Sequence, residues 1–260
     1  MKSNFYKYQA TGNDFVIIDN RDMRFNKENS TRISELCNRR FGIGADGLIV
    51  LQNLTGYDFE MLYYNSDGKP GSLCGNGGRC IVALAHKLGI ITEKARFIAM
   101  DGEHRAIIKD DWICLKMNDV SDIERNSDFY FLNTGSPHYV KFVKDIHHFD
   151  VSDSGKTIRF SDRFKAQGTN VDFIEKEKDF LFVRTYERGV EGETFSCGTG
   201  VTAAALVAAL TNSLGNAEMC AVKTMGGNLT VRFNQKKDNS FDNIWLEGPV
   251  SFVFKGEVEI

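Results

Sequence analysis

The sequence predicts an α+β protein of two similar lobes, each a mainly antiparallel, strongly curved sheet around a central helix. Two observations carry that expectation. The first is an internal repeat: Cys74-Gly75-Asn76-Gly77 returns as Cys197-Gly198-Thr199-Gly200, an offset of 123 residues (197 − 74). The same offset carries Thr11-Gly12 onto Thr134-Gly135 and Arg40-Phe41 onto Arg163-Phe164, and an offset of 125 carries Met100 and Gly102 onto Met225 and Gly227. The second is that much of each half alternates polar and apolar residues with the period of strands.

In the first half the alternation predicts strands at Asp14 to Asp19, Asp58 to Tyr64, His104 to Lys109 and Trp112 to Met117. Second-half strands are expected at Phe129 to Asn133, Asp172 to Glu175, Phe180 to Tyr186 and Leu229 to Asn234. Two helices per half are expected: an amphipathic one, placed at Thr31 to Arg39 in the first half, and one after each Cys-Gly-X-Gly block, at Arg79 to Leu88 and Val201 to Leu210. The last of these is apolar on nearly every face, which places it inside the sheet rather than on it. The halves divide as 1–118 and 119–250, with a final strand at 251–260 returning to the first. Pseudo-symmetry then turns the two inner helix N-termini toward each other.

Composition narrows the function. The chain has 260 residues, a net charge of −3 and no basic stripe, which argues against nucleic acid as a partner. Residues 1–19 alternate in polarity, unlike a signal peptide, and no run in the sequence is long enough to cross a membrane. Six cysteines without a secretion signal suggest reduced thiols in the cytoplasm. With only three prolines and no low-complexity tract, no flexible linker is expected between the halves.

A cysteine just before a glycine-rich helix start sits where unpaired N–H groups and the positive end of the helix dipole stabilise a thiolate. Glycines let those amides approach a carboxylate, so each block makes a small anion cradle. Two such thiols on opposite faces of one α-carbon specify inversion: one removes the proton, the other delivers one. Converging amides stabilise the charge that develops on the carboxylate. No Rossmann fingerprint, P-loop or His-Glu-x-x-His helix is present, although a pyridoxal phosphate lysine has no universal local signature and stays open. A zinc or redox pair is the rival use of Cys74, Cys197 and His138, without any Cys-x-x-Cys or local histidine pair to favour it. Cys37, Cys80, Cys114 and Cys220 read as buried packing, and His86, His104, His147 and His148 as non-catalytic.

Three longer stretches make the sequence recognisable: Ala10-Thr11-Gly12-Asn13-Asp14-Phe15; Asn65-Ser66-Asp67-Gly68 leading to Cys74-Gly75-Asn76-Gly77-Gly78-Arg79-Cys80; and Glu187-Arg188-Gly189-Val190-Glu191-Gly192-Glu193-Thr194 leading to Cys197-Gly198-Thr199-Gly200. In this order, and across almost the whole chain, they resemble the diaminopimelate epimerase family. The resemblance implies barrel-like lobes, a homodimer, no cofactor and no metal. It also implies epimerisation of LL-diaminopimelate to the meso isomer, a step toward lysine and peptidoglycan precursors. Carried over by position, Cys74 and Cys197 are the acid/base pair, and His138 and Glu187 tune their ionisation. Amides around Gly75, Asn76, Gly198 and Thr199 hold the reacting carboxylate, and Asn13, Asn65, Asn170, Glu187 and Arg188 bind the remaining amine and carboxylate groups. Asn65 plus 123 falls on Arg188, so the repeat breaks where an asymmetric substrate needs a distinctive contact.

The chain departs from the family pattern at Ser136, where many members have asparagine, and at Gly47, where some have glutamine. Ser136 is shorter and lacks an amide's paired donor and acceptor, which bears on substrate affinity more than on reaction type. The competing functions are a proline or hydroxyproline racemase, which has no use for Arg188, Asn65 and Asn170, a thiol redox sensor, and a non-catalytic amino-acid-binding module.

Overall fold

The computed structural model describes residues 2–71, 74–213, 215 and 217–259. By contacts the chain parts into two units, Met1–Leu115 with Gly248–Ile260, and Lys116–Glu247. The first contains β1 (Lys2–Ala10), β2 (Asn13–Asp19), α1 (Ser30–Cys37), β3 (Gly47–Gln52), β4 (Phe59–Asn65), α2 (Gly75–Lys87), β5 (Lys94–Ala99), β6 (Gly102–Lys109), β7 (Trp112–Lys116) and the last strand, β17 (Ser251–Glu259). Most neighbours are antiparallel, but β2 pairs with β3 and β4 with β5 in parallel. Parallel neighbours need a crossover. Helices α1 and α2 are those crossovers. β17 runs antiparallel to β1, from Lys2↔Glu259 to Gln9↔Ser251.

The second unit repeats the plan with β8 (Ile123–Arg125), β9 (Tyr130–Asn133), β10 (Pro137–Phe142), α3 (Val151–Arg159), β11 (Asn170–Lys176), β12 (Leu181–Glu187), β13 (Gly192–Thr194), α4 (Gly198–Leu210), β14 (Met219–Thr224), β15 (Gly227–Gln235) and β16 (Phe241–Pro249). Its parallel pairs are β10 with β11 and β12 with β14, bridged by α3 and α4. The register also repeats: Phe15 faces Gly47 across β2 and β3, and His138 faces Asn170 across β10 and β11, each 123 residues on. The fold is α+β.

The sheet strands beneath the inner helices are covered on both faces. Val16, Ile18, Leu48 and Val50 pack with Ile33 and Leu36 of α1, while Phe15 and Ile49 turn to the other face, toward Gly77 of α2. In the second unit Val151 of α3 packs with Tyr139, Val171 and Phe173. Every residue of α4 from Gly200 to Ala209 is buried, as an all-round apolar helix requires.

Both inner helices begin earlier than the sequence suggests. Gly75 and Gly198 are already helical, so the glycines form the first turn instead of preceding it. Glycine is a poor helix former, which hid this turn. Close packing compensates: a Cβ on Gly77 would meet Ile49 Cδ1 at 3.1 Å, and one on Gly200 would overlap Asp172. No helix among the described residues is long and apolar enough to cross a membrane.

Candidate active site

Two half-sites lie at the N-termini of α2 and α4. In each, the cysteine is the N-cap residue in extended backbone, Cys74 at φ −91° and Cys197 at φ −112°, and its side chain makes no capping bond. Neither first turn contains an acidic side chain. The positive end of each helix is therefore left for a ligand anion rather than neutralised from within.

In the first unit the hairpin turn Thr11-Gly12, with φ of 48° and 84°, delivers Asn13 to the head of β2. Two positive φ values in a two-residue loop are the hairpin geometry that matches strand twist, which is why glycine is needed there. Cys74 Sγ donates to Asn13 Oδ1 at 3.4 Å, and Asn76 Nδ2 donates to the same oxygen at 3.3 Å. Both amide orientations are fixed from outside. Asn13 Nδ2 donates to Asp46 Oδ2 at 2.7 Å, and a carboxylate only accepts. Arg79, fully buried, donates from Nη2 to Asn76 Oδ1 at 2.9 Å and from Nη1 to the carbonyl of Gly75 at 3.3 Å, and a guanidinium only donates. Burial pulls the Arg79 pKa down to about 10, against the opposing influence of Cys80 and Cys74, so it stays a cation at neutral pH. Asp46 is held in turn by Arg39, which also clasps Asp14. Burial works against ionisation of Asp14, but hydrogen bonds from Arg39 and Lys7 hold its carboxyl well below the usual range.

The second unit surrounds its cysteine differently. His138 and Asp172 are both fully buried, with His138 Nδ1 2.7 Å from Asp172 Oδ2. Thr185 Oγ1 donates to the other carboxylate oxygen at 2.7 Å. His138 Nε2 is 2.9 Å from Thr199 Oγ1, 3.0 Å from Ser136 Oγ and 3.3 Å from Asn170 Nδ2. The backbone N–H of Arg188 donates to Asn170 Oδ1 at 2.8 Å, so the Asn170 nitrogen must face the imidazole. Cys197 Sγ lies 3.4 Å from Thr199 Oγ1. Burial pushes the Cys197 thiol well up, and the charges of Glu187 and Asp172 add to it, while Thr199 and the Gly200 amide act in the opposite direction.

Of the residues singled out from sequence, the first unit thus joins Asn13, Cys74, Gly75 and Asn76 in one network. The second joins Ser136, His138, Asn170, Cys197 and Thr199, with Glu187 close enough to act on the thiol. Asn65 stands exposed at the end of β4, and Arg188 is exposed directly after β12 with its Nη1 donating to the carbonyl of Gln167 at 3.0 Å. Ser136 Oγ accepts from Asn170 at 2.9 Å and so belongs to the imidazole network. Sequence reasoning missed Arg79, Asp46 and Asp172. Among the described residues no three His, Cys, Asp or Glu side chains are grouped as metal ligands.

The family profile described as diaminopimelate epimerase matches residues 5–118 and 130–253. The chain belongs to the diaminopimelate epimerase family. It is therefore an isomerase. A diaminopimelate epimerase of Flavobacterium psychrophilum is 50% identical over 252 residues, covering 96% of this chain and 98% of that one. Another, from Chlorobaculum tepidum, is 39% identical over 260 residues, covering 96% and 99%. Among solved structures, a phenazine biosynthesis protein of the PhzF family from Bacillus anthracis superposes with a TM-score of 0.81 at 13% identity, covering all of both chains. A hydroxyproline epimerase from Agrobacterium vitis does so at 0.71 and 13%, covering 99% of this family member and 92% of the epimerase. At such identities these two establish the shared fold alone.

Proposed function

We propose that this isomerase interconverts LL- and meso-diaminopimelate by two-base proton transfer, with Cys74 and Cys197 acting on one α-carbon. The observation that carries the reading is the recurrence, at equivalent points of the two units, of a cysteine N-cap on a buried, glycine-opened helix. One sulfur, as thiolate, takes the α-proton; the other, as thiol, gives one to the opposite face. Amides of Gly75, Asn76, Gly198 and Thr199 hold the carboxylate and absorb the charge that grows on it, so the carbanion-like state is stabilised more than the bound amino acid. Asn13, Asn65, Asn170, Glu187 and Arg188 take the other amine and carboxylate groups, with Arg188 turning from the Gln167 carbonyl to a bidentate contact. His138 and Glu187 set thiol ionisation. The chemistry requires no metal or cofactor, and its product serves lysine and peptidoglycan synthesis in the cytoplasm.

The decisive assay is turnover of LL-diaminopimelate in deuterated solvent. Wild type is expected to form the meso isomer with deuterium at the inverted carbon, and Cys74→Ala and Cys197→Ala each to lower kcat by about 10²- to 10⁴-fold, the range of one lost acid or base. Inversion of proline in place of diaminopimelate, or a reduced protein that exchanges no α-proton, overturns the reading. The proposed assembly is a homodimer. Phe252, Val253 and Phe254 are 41–52% exposed along β17, apolar surface that self-association would cover, and light scattering measures the mass.

A further inference from the structure

The internal repeat supplies a control for the second half-site. Residues 123 positions before His138 and Asp172 are Phe15 and Ile49, and they occupy the same place under the inner helix. A Cβ on Gly77 would touch Ile49 and Phe15, and one on Gly200 would touch Asp172 and His138. The fold therefore accepts an apolar pair at this position. In the second unit it instead buries a carboxylate and an imidazole completely, a costly choice unless each is hydrogen-bonded.

Their bonds determine where the imidazole proton sits. Asp172 accepts at Nδ1, while the Asn170 amide nitrogen, oriented by the Arg188 backbone, faces Nε2 with a donor. The neutral ring consequently carries its hydrogen on Nδ1 and presents a lone pair at Nε2. Thr199 Oγ1 lies between that lone pair, at 2.9 Å, and the Cys197 sulfur, at 3.4 Å.

We infer that Asp172 is a positioning residue for proton transfer, holding His138 in the tautomer that receives the Cys197 proton through the Thr199 hydroxyl. The inference rests on the reading of Cys197 as an acid/base group. The S–H bond breaks as its proton passes to Thr199 Oγ1, and the Thr199 hydroxyl proton passes to Nε2. A neutral thiol and a neutral imidazole become a thiolate and an imidazolium, and Asp172 remains a carboxylate that stabilises the cation. Without that exchange, burial and the charges of Asp172 on β11 and Glu187 on β12 favour the thiol, opposed only by the hydrogen bonds of Thr199 and the Gly200 amide. Asp172 thus opposes a lone thiolate and supports one formed together with imidazolium. Gly200 is required because any side chain there would displace the carboxylate.

The test is the rate of iodoacetamide alkylation of Cys197 against pH, read by mass spectrometry of its peptide in a Cys74→Ala background. Alkylation is expected to stay fast well below the ordinary thiol value of 9.0. Asp172→Asn and, independently, Thr199→Val should each slow it at neutral pH by at least about tenfold, equivalent to one unit of ionisation, and Thr199→Ser should restore it. Should Asp172→Asn fail to fold, Thr199→Val, which leaves every buried charge in place, decides the matter. Neutral-pH rates unchanged by Thr199→Val, or a parent rate that follows an ordinary thiol, overturn the inference. Because no substrate is present, this outcome is separable from a failure of α-proton exchange, which would instead sink the epimerase reading.

Discussion

The two inner helix N-termini have the same backbone and different chemistry around the sulfur. At Cys74 the neighbours are amides locked by a buried arginine below and a carboxylate outside, so a carbonyl oxygen faces the sulfur. At Cys197 the neighbour is a hydroxyl backed by an imidazole and a buried carboxylate. The two units share the glycine-opened turn and differ in the groups beside each thiol. In the proposed two-base reaction, a repeated scaffold thereby gives its two thiols unequal partners.

The sharpest way to break this contrast is to make the second unit like the first. The double variant His138→Phe with Asp172→Ile should keep its thermal midpoint, because replacing a buried polar pair by packed apolar groups is commonly neutral to stabilising. Its kcat should fall by about 10²- to 10⁴-fold. Retained activity would mean that the pair is structural after all. A smaller effect is expected from Arg79→Met in the first unit, which removes the shorter bond to Asn76 Oδ1 and leaves that oxygen the 3.4 Å bond from Thr11 Oγ1. Urea unfolding should show a loss of about 1–3 kcal/mol for the lost charge-assisted hydrogen bond. The smallest effect concerns the charge network that steadies Asn13. The depressed Asp14 pKa means that its contribution to stability is present above the ordinary aspartate value of 3.8 and is lost as pH falls through the lower folded value. Wild type should exceed Asp14→Asn in urea midpoint at neutral pH, and the two should converge in acid; a constant difference would place the effect in packing rather than charge.

The repeat, the strand-rich fold and both cysteines were legible because they are local patterns: glycine blocks, alternation and an all-apolar helix. The partners that set the thiols' chemistry were not. Asp172 sits among Val171, Phe173 and Ile174, where alternation assigns polar residues to solvent, but β11 is covered on both faces and the carboxylate turns inward. Arg79 heads the helix expected after the first cysteine block with no local sign of a buried partner, yet it is fully buried and the guanidinium finds its acceptors inside. Helix α3 is the counterpart of α1; its Gly155 lowers helix propensity, and that glycine is there because a Cβ would overlap Tyr186.

The pairing of β17 with β1 has a consequence for how the protein is made. The second unit is one uninterrupted stretch of chain, whereas the first lacks one of its strands until residues 251–259 emerge from the ribosome. The half whose synthesis begins first is thus completed after the second, and removal of residues 251–259 exposes an edge on the N-terminal half.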